Sequence, residues 1–183
     1  MIRAAIFVLA SVGIVRFSWR SLQDLRSHGF YRFFAFELLA ALILLNAPLC
    51  FRDSLCARQL VSYLLGAVSI GLAIEGFRLL RLIGRPSPAA ARRANAGFEN
   101  PTTLVTAGAY RFIRHPLYAS LLLLTWCAHL KDPFAIRGVA LALGATGFLV
   151  ATAVAEEKEN LAAFGAPYAA YMARTRRFIP FLL

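Results

Sequence analysis

The chain has 183 residues, of which 60% are hydrophobic and 16% charged, with a mean hydropathy of +0.64. A soluble domain is apolar over about half its residues, so this composition excludes an ordinary water-soluble fold. It predicts an all-α polytopic membrane protein, a single domain over 1–183 with no separate soluble core. The formal charge of +11 does not indicate nucleic acid, because the arginines sit at the edges of apolar runs rather than along an amphipathic surface.

A helix rises about 1.5 Å per residue, so a hydrocarbon layer of about 30 Å takes roughly 20 residues to cross. Five segments qualify: Ile2–Trp19, Phe33–Phe51, Leu60–Leu80, Pro116–Leu130 and Phe134–Ala155, the fourth being short. The first follows one arginine and lacks a small-x-small cleavage site, so it reads as a retained helix rather than a signal peptide. Alternating the connections puts Arg3, Arg52, Arg58, Lys131 and Arg137 on one side and the other 15 basic residues opposite. Positive charge marks the cytoplasmic face. The N-terminus is therefore expected outside and the C-terminus inside, with a bacterial inner membrane as the expected location. Helices one to three occupy 1–80, a cytoplasmic connection 81–115, a helical hairpin 116–155 turning at Lys131-Asp132-Pro133, and a cytoplasmic tail 156–183. Basic segments of this kind also attract anionic membrane lipids, at about 1 kcal/mol per Lys or Arg.

Several residues are open to two readings. Gly147, Ala151 and Ala155 form a flat strip for close helix approach, or are ordinary small residues of a bilayer helix. Glu37 and Glu75 lie inside apolar runs, where a charge is costly; each forms an ion pair, Glu75 with Arg78 at i,i+3, or lines a polar pocket. Cys50 and Cys56 are placed for a disulfide, although plain buried thiols are favoured, and no Cys/His spacing indicates a metal.

The densest chemistry lies in Gly108-Ala-Tyr110-Arg111-Phe-Ile-Arg114-His115-Pro116-Leu-Tyr118. Pro116 suits the first turn of helix four, which leaves Arg114 and His115 at a helix N-terminus where partial positive charge gathers. Backbone N–H groups there and the Arg114 guanidinium suit an anion, and Tyr110 and Tyr118 offer aromatic faces. Taken singly, these residues also read as positive-inside anchors and an interfacial aromatic belt. Beyond helix five come Glu156, Glu157 and Glu159. Carboxylates at a helix C-terminus oppose its dipole, so they are not there for helix stability, unless they open a solvated amphipathic segment. Glu157, Leu161 and Phe164 share a helical face, Gly165 and Pro167 break the helix, and Tyr168 and Tyr171 follow.

At these residues the sequence resembles the isoprenylcysteine carboxyl methyltransferase-like family of integral membrane methyltransferases, which is related to phospholipid N-methyltransferases. The resemblance runs from Thr106 to Pro180. It rests on G-x-Y-x-x-x-R-H-P-x-Y over Gly108 to Tyr118 and on E-E-x-x-L-x-x-x-F-G-x-x-Y-x-x-Y, read over Glu156 to Tyr171. It implies S-adenosylmethionine as methyl donor, bound at the cytoplasmic face, and a lipophilic or lipid-linked acceptor arriving from the bilayer. By the same resemblance Tyr110, Arg114, His115, Pro116, Tyr118, Glu157, Tyr168 and Tyr171 belong to the cofactor pocket, and Glu156, with Arg114, to the reacting region. Many family members carry an arginine four residues before the first glutamate. Thr152 stands there, and an amine or thiol acceptor would not need that arginine in the way a carboxylate does, so all three acceptors stay open. Two other classes stay open: an NADPH-dependent membrane reductase of similar helical layout, and a non-enzymatic scaffold or transporter subunit.

Overall fold

The computed structural model describes residues 1–50, 52, 56–85 and 102–181. Their architecture is helical: α1 (Ile2–Ser18), α2 (His28–Asn46), α3 (Ala57–Leu82), α4 (Pro116–His129), α5 (Ile136–Phe164) and α6 (Ala166–Arg174). Single 3-10 turns stand at Ser21–Gln23, Ala47–Leu49 and Gly108–Arg111. There is no strand among the described residues, only an isolated parallel bridge between Ile113 and Arg176. The expected connection 81–115 is described at its two ends; Arg92 and Arg93, assigned to it from the sequence, lie outside the described residues.

Among the described residues, three segments are long and apolar enough to cross a membrane: His28–Leu49, Ala57–Leu82 and Ile136–Phe164. With 17 and 14 residues, α1 and α4 are shorter. Two boundaries differ usefully from the sequence expectation. Helix α2 begins at His28 rather than Phe33, because Ser27 caps it, its Oγ accepting from the Phe30 N–H at 3.2 Å. His28 and Arg32 thereby join the helix. Helix α5 runs nine residues past Ala155, and its 29 residues span about 43 Å, well over the roughly 30 Å of a hydrocarbon core. Glu156, Glu157, Lys158 and Glu159 gather in its C-terminal turns. Gly165 then ends it at φ 59°, a backbone conformation that favours glycine.

Packing pairs α2 with α5 and α3 with α4, while α1 leans on α2. Between α2 and α5, Ala35, Leu149 and Ala153 are buried with Tyr118, and Phe34 stacks on Phe148 at 5.0 Å between centroids. A second cluster joins Leu42, Ala128 and Ala142. The small-residue face of α5 is therefore Ala142, Ala145 and Ala153, all fully buried. The strip read from the sequence does not serve this contact, since a Cβ on Gly147 would meet nothing within 4 Å. Outward faces of α1 and α3 expose Leu9, Val12, Leu64 and Ile74, as a lipid environment favours.

Three polar residues found partners other than those their sequence positions indicate. Lys131, counted as a topology marker, folds inward: its Nζ donates to Gln59 Oε1 at 2.8 Å and lies 4.0 Å from the Tyr63 ring centroid. Glu75 does not take Arg78 as its partner; its Oε1 accepts from the Ala109 N–H at 3.0 Å, tying α3 to the turn before α4. Glu37 accepts from the Ser11 hydroxyl at 2.6 Å, linking α2 to α1. Cys50, Cys56 and Cys127 are free thiols.

Candidate active site

The segment after α6 lies beside the segment before α4. The Arg114 N–H donates to the Arg176 carbonyl at 2.7 Å, the His115 N–H to the Arg177 carbonyl at 3.2 Å, and the Arg176 N–H to the Phe112 carbonyl at 3.1 Å. Side chains reinforce the seam. The Tyr171 hydroxyl donates to the Tyr110 carbonyl at 2.7 Å. Arg114 donates through Nε to Glu157 at 2.9 Å and through Nη1 to the Met172 carbonyl at 3.2 Å and to the Thr175 carbonyl. Arg177 clasps the same Glu157 from outside, Nη2 to Oε2 at 2.8 Å and Nε to Oε1 at 3.1 Å. His115 completes the group, its Nε2 3.4 Å from Glu157 and its Nδ1 3.8 Å from Glu156. Two stretches some 40 residues apart in the chain, one entering α4 and one leaving α5, thus converge on one place.

Beside this seam lies a narrow cleft of about 80 Å³ that opens to solvent. Tyr110, Tyr118, Tyr168 and Tyr171 give it aromatic walls. Leu80, Leu104, Val105, Leu117 and Phe164 supply apolar surface, and Arg114, His115, Glu156 and Asn160 the polar groups. Burial pushes the Tyr168 hydroxyl up to about 12, and raises Tyr110 and Tyr171 as well. These hydroxyls stay protonated at neutral pH and serve as hydrogen-bond donors. Pairing with Glu157 raises Arg177, keeping it firmly charged. Because Glu157 matches the charge of Arg114, the carboxylate left facing the cleft is Glu156.

Of the residues singled out in the sequence, Tyr110, Arg114, His115, Tyr118, Glu156, Tyr168 and Tyr171 line the cleft. Glu157 stands behind the wall, 4% exposed and engaged with two arginines. Pro116 is buried against α3, where a Cβ on Gly76 would meet its Cβ at 3.4 Å. The expected anion site at the head of α4 has a different use: the Arg114 and His115 N–H groups and two of the Arg114 nitrogens already bind the tail. Asn160 stands where the E-E-x-x-L pattern has leucine, and it adds an amide to the cleft.

Sequence reasoning passed over the contribution of α2. Arg32 is 2% exposed, its guanidinium 5.0 Å from the Phe17 ring centroid, with Tyr118, Glu156 and Glu159 as electrostatic neighbours. One turn earlier, His28 meets Glu159 twice, by its N–H at 2.8 Å and its Nδ1 at 2.9 Å. An arginine before a phenylalanine run reads as a membrane-boundary marker, and only the i,i+4 spacing from His28 hinted that both face α5. Thr152, at the position where the resembled family often has arginine, is fully buried and bonds the Phe148 carbonyl at 2.7 Å. Compared with family models, with curated proteins and with solved structures, the chain matches none.

Proposed function

We propose that the protein is an integral membrane methyltransferase, with five helices crossing a bacterial inner membrane and its C-terminus cytoplasmic, acting on a lipophilic or lipid-linked acceptor with S-adenosylmethionine as donor. The observation that carries this reading is the convergence of the two motif-bearing stretches on one cleft, where Glu156 faces a ring of tyrosines. A carboxylate among aromatic faces favours a cationic ligand with a flat ring, and aromatic faces attract cations directly. The resemblance of both stretches to the isoprenylcysteine carboxyl methyltransferase-like family supplies the choice of donor.

When bound, the donor provides a methyl group activated on a positively charged sulfur. The remaining work belongs to the chain. Tyr110 and Tyr168 present protonated hydroxyls and ring faces that fix the ligand's orientation, and Tyr171, whose hydroxyl is engaged by the Tyr110 carbonyl, a ring face. Glu156, at the cleft wall, would accept the proton that an amine or thiol acceptor releases. Arg114 is a positioning residue: through Glu157 and the Thr175 carbonyl it holds the tail against α4 and keeps the cleft closed. His115, stacked on Tyr118 at 5.5 Å between centroids, is locked between the two glutamates. Leu104, Val105 and Leu117 exclude water from the reacting end.

The test uses purified protein in nanodiscs containing a total bacterial lipid extract and methyl-tritiated S-adenosylmethionine. Label should appear in the organic phase and fall at least about 100-fold with Glu156→Gln. No label in the organic phase, with NADPH oxidised by the same nanodiscs in a parallel assay, would favour the reductase reading.

A further inference from the structure

A second pocket shares Tyr171 with the cleft. Thr106, Arg111, Arg174 and Thr175 complete its lining, and it holds about 330 Å³. Its two arginines differ from their neighbours in the chain. Arg114 and Arg177 are matched by Glu157, whereas Arg111 and Arg174 have no carboxylate within ion-pair distance among the described residues. The Arg111 guanidinium lies 5.8 Å from the Phe112 ring centroid, and Arg174 Nε donates to the Ala170 carbonyl at 3.3 Å. Each keeps other N–H groups for a ligand, because a guanidinium carries five.

Apolar surface adjoins this basic pocket. Phe112 is 48% exposed and Phe181 84%, their rings 6.5 Å apart, and Ile179 is 46% exposed. In water such exposure costs about 25 cal/mol per Å², but beside guanidinium groups it matches the boundary between lipid headgroups and acyl chains. The site lies at the end of the bundle where the charged C-terminal turns of α5 gather.

We propose that this pocket binds the phosphodiester of an anionic lipid from the adjacent leaflet, Arg111 and Arg174 holding the phosphate while an acyl chain lies along Phe112 and Phe181. Arginine suits phosphate because its planar donors engage two oxygens at once. A lipid seated there braces the Thr175 carbonyl and Tyr171, two of the ties that hold the tail to α4. The inference is independent of the methyl-transfer reading and needs no donor or acceptor.

Thermal melting of the full chain tests it in phosphatidylcholine nanodiscs, with and without added phosphatidylglycerol; phosphatidylcholine has the same phosphate, its charge cancelled by choline. Phosphatidylglycerol should raise the melting temperature of the wild-type protein. Arg111→Gln with Arg174→Gln should weaken its apparent affinity roughly 10- to 30-fold, leaving melting in pure phosphatidylcholine unchanged. Phe112→Ala with Phe181→Ala should weaken it less. If phosphatidylglycerol stabilises the arginine variant as strongly as the wild type, the site is refuted. An equal shift from inorganic phosphate alone would make the ligand a soluble phosphate and overturn the lipid assignment.

Discussion

Glu156 and Glu157 are adjacent in the chain and stand in opposite circumstances. Glu157 is 6% exposed in its side chain and accepts from two arginines, so removing its charge strands the buried Arg114 beside a histidine. Breaking a buried ion pair from one side costs about 3–5 kcal/mol. Glu157→Gln is therefore expected to lower thermal stability in detergent clearly, with loss of ligand binding as a consequence. Glu156, 27% exposed in its side chain and turned to the cleft, should behave otherwise: Glu156→Gln keeps a near-native melting temperature and loses turnover. A melting curve and a single-turnover assay on both variants separate the two roles. Alkaline pH probes the tyrosines. The Tyr168 hydroxyl, free value 10.0, is held up to about 12 by burial, so its contribution is complete below pH 10 and lost as pH rises through 12. Tyr168→Phe should flatten the fall of stability across that window.

At the level of elements, the turn before α4 depends on one backbone conformation. Gly108 has φ 57°, and a Cβ there would collide with Glu75 Oε1, the oxygen that accepts from Ala109. Gly108→Ala should destabilise by about 1–2 kcal/mol and loosen the turn that carries Tyr110, which limited proteolysis of the 102–115 segment would register. Helix ends of this kind were legible in the sequence because proline and glycine punctuate them: Pro116 opens α4, and Gly165 closes α5 as its spacing indicated. The start of α2 was not legible. Ser27, His28 and Arg32 are polar and read as loop, and only the Ser27 cap extends the helix through them. Nor does periodicity within one helix say which neighbour it meets, so the packing of α2 on α5, and the place of Arg32 beside Glu156, had no sequence signal. The site residues near α4 and α6 were legible as a set, while the division of labour between Glu156 and Glu157 depended on which rotamer reaches Arg177.

At the scale of the whole molecule, the site forms where both polar stretches leave the helical bundle at the same end. Arg58 gathers the opposite end, donating to the carbonyls of Leu130 and, at 2.7 Å, Lys131. If α1 and α4 cross together with the three long helices, reporters fused before Met1 and inserted at Asp132 should be external, and reporters inserted at Asp24 and Thr103 cytoplasmic; the Met1 and Asp24 reporters on one side would remove α1 from the crossings, and the Thr103 and Asp132 reporters on one side would remove α4. The cleft's occupant is the central matter, and isothermal titration calorimetry of the full chain in nanodiscs addresses it directly, with S-adenosylhomocysteine and NADPH as alternative titrants. The expected result is saturable binding of S-adenosylhomocysteine that Tyr168→Ala and His115→Ala weaken at least about tenfold, with no heat from NADPH. Binding of NADPH alone, or of neither ligand to protein that still melts cooperatively, would contradict it.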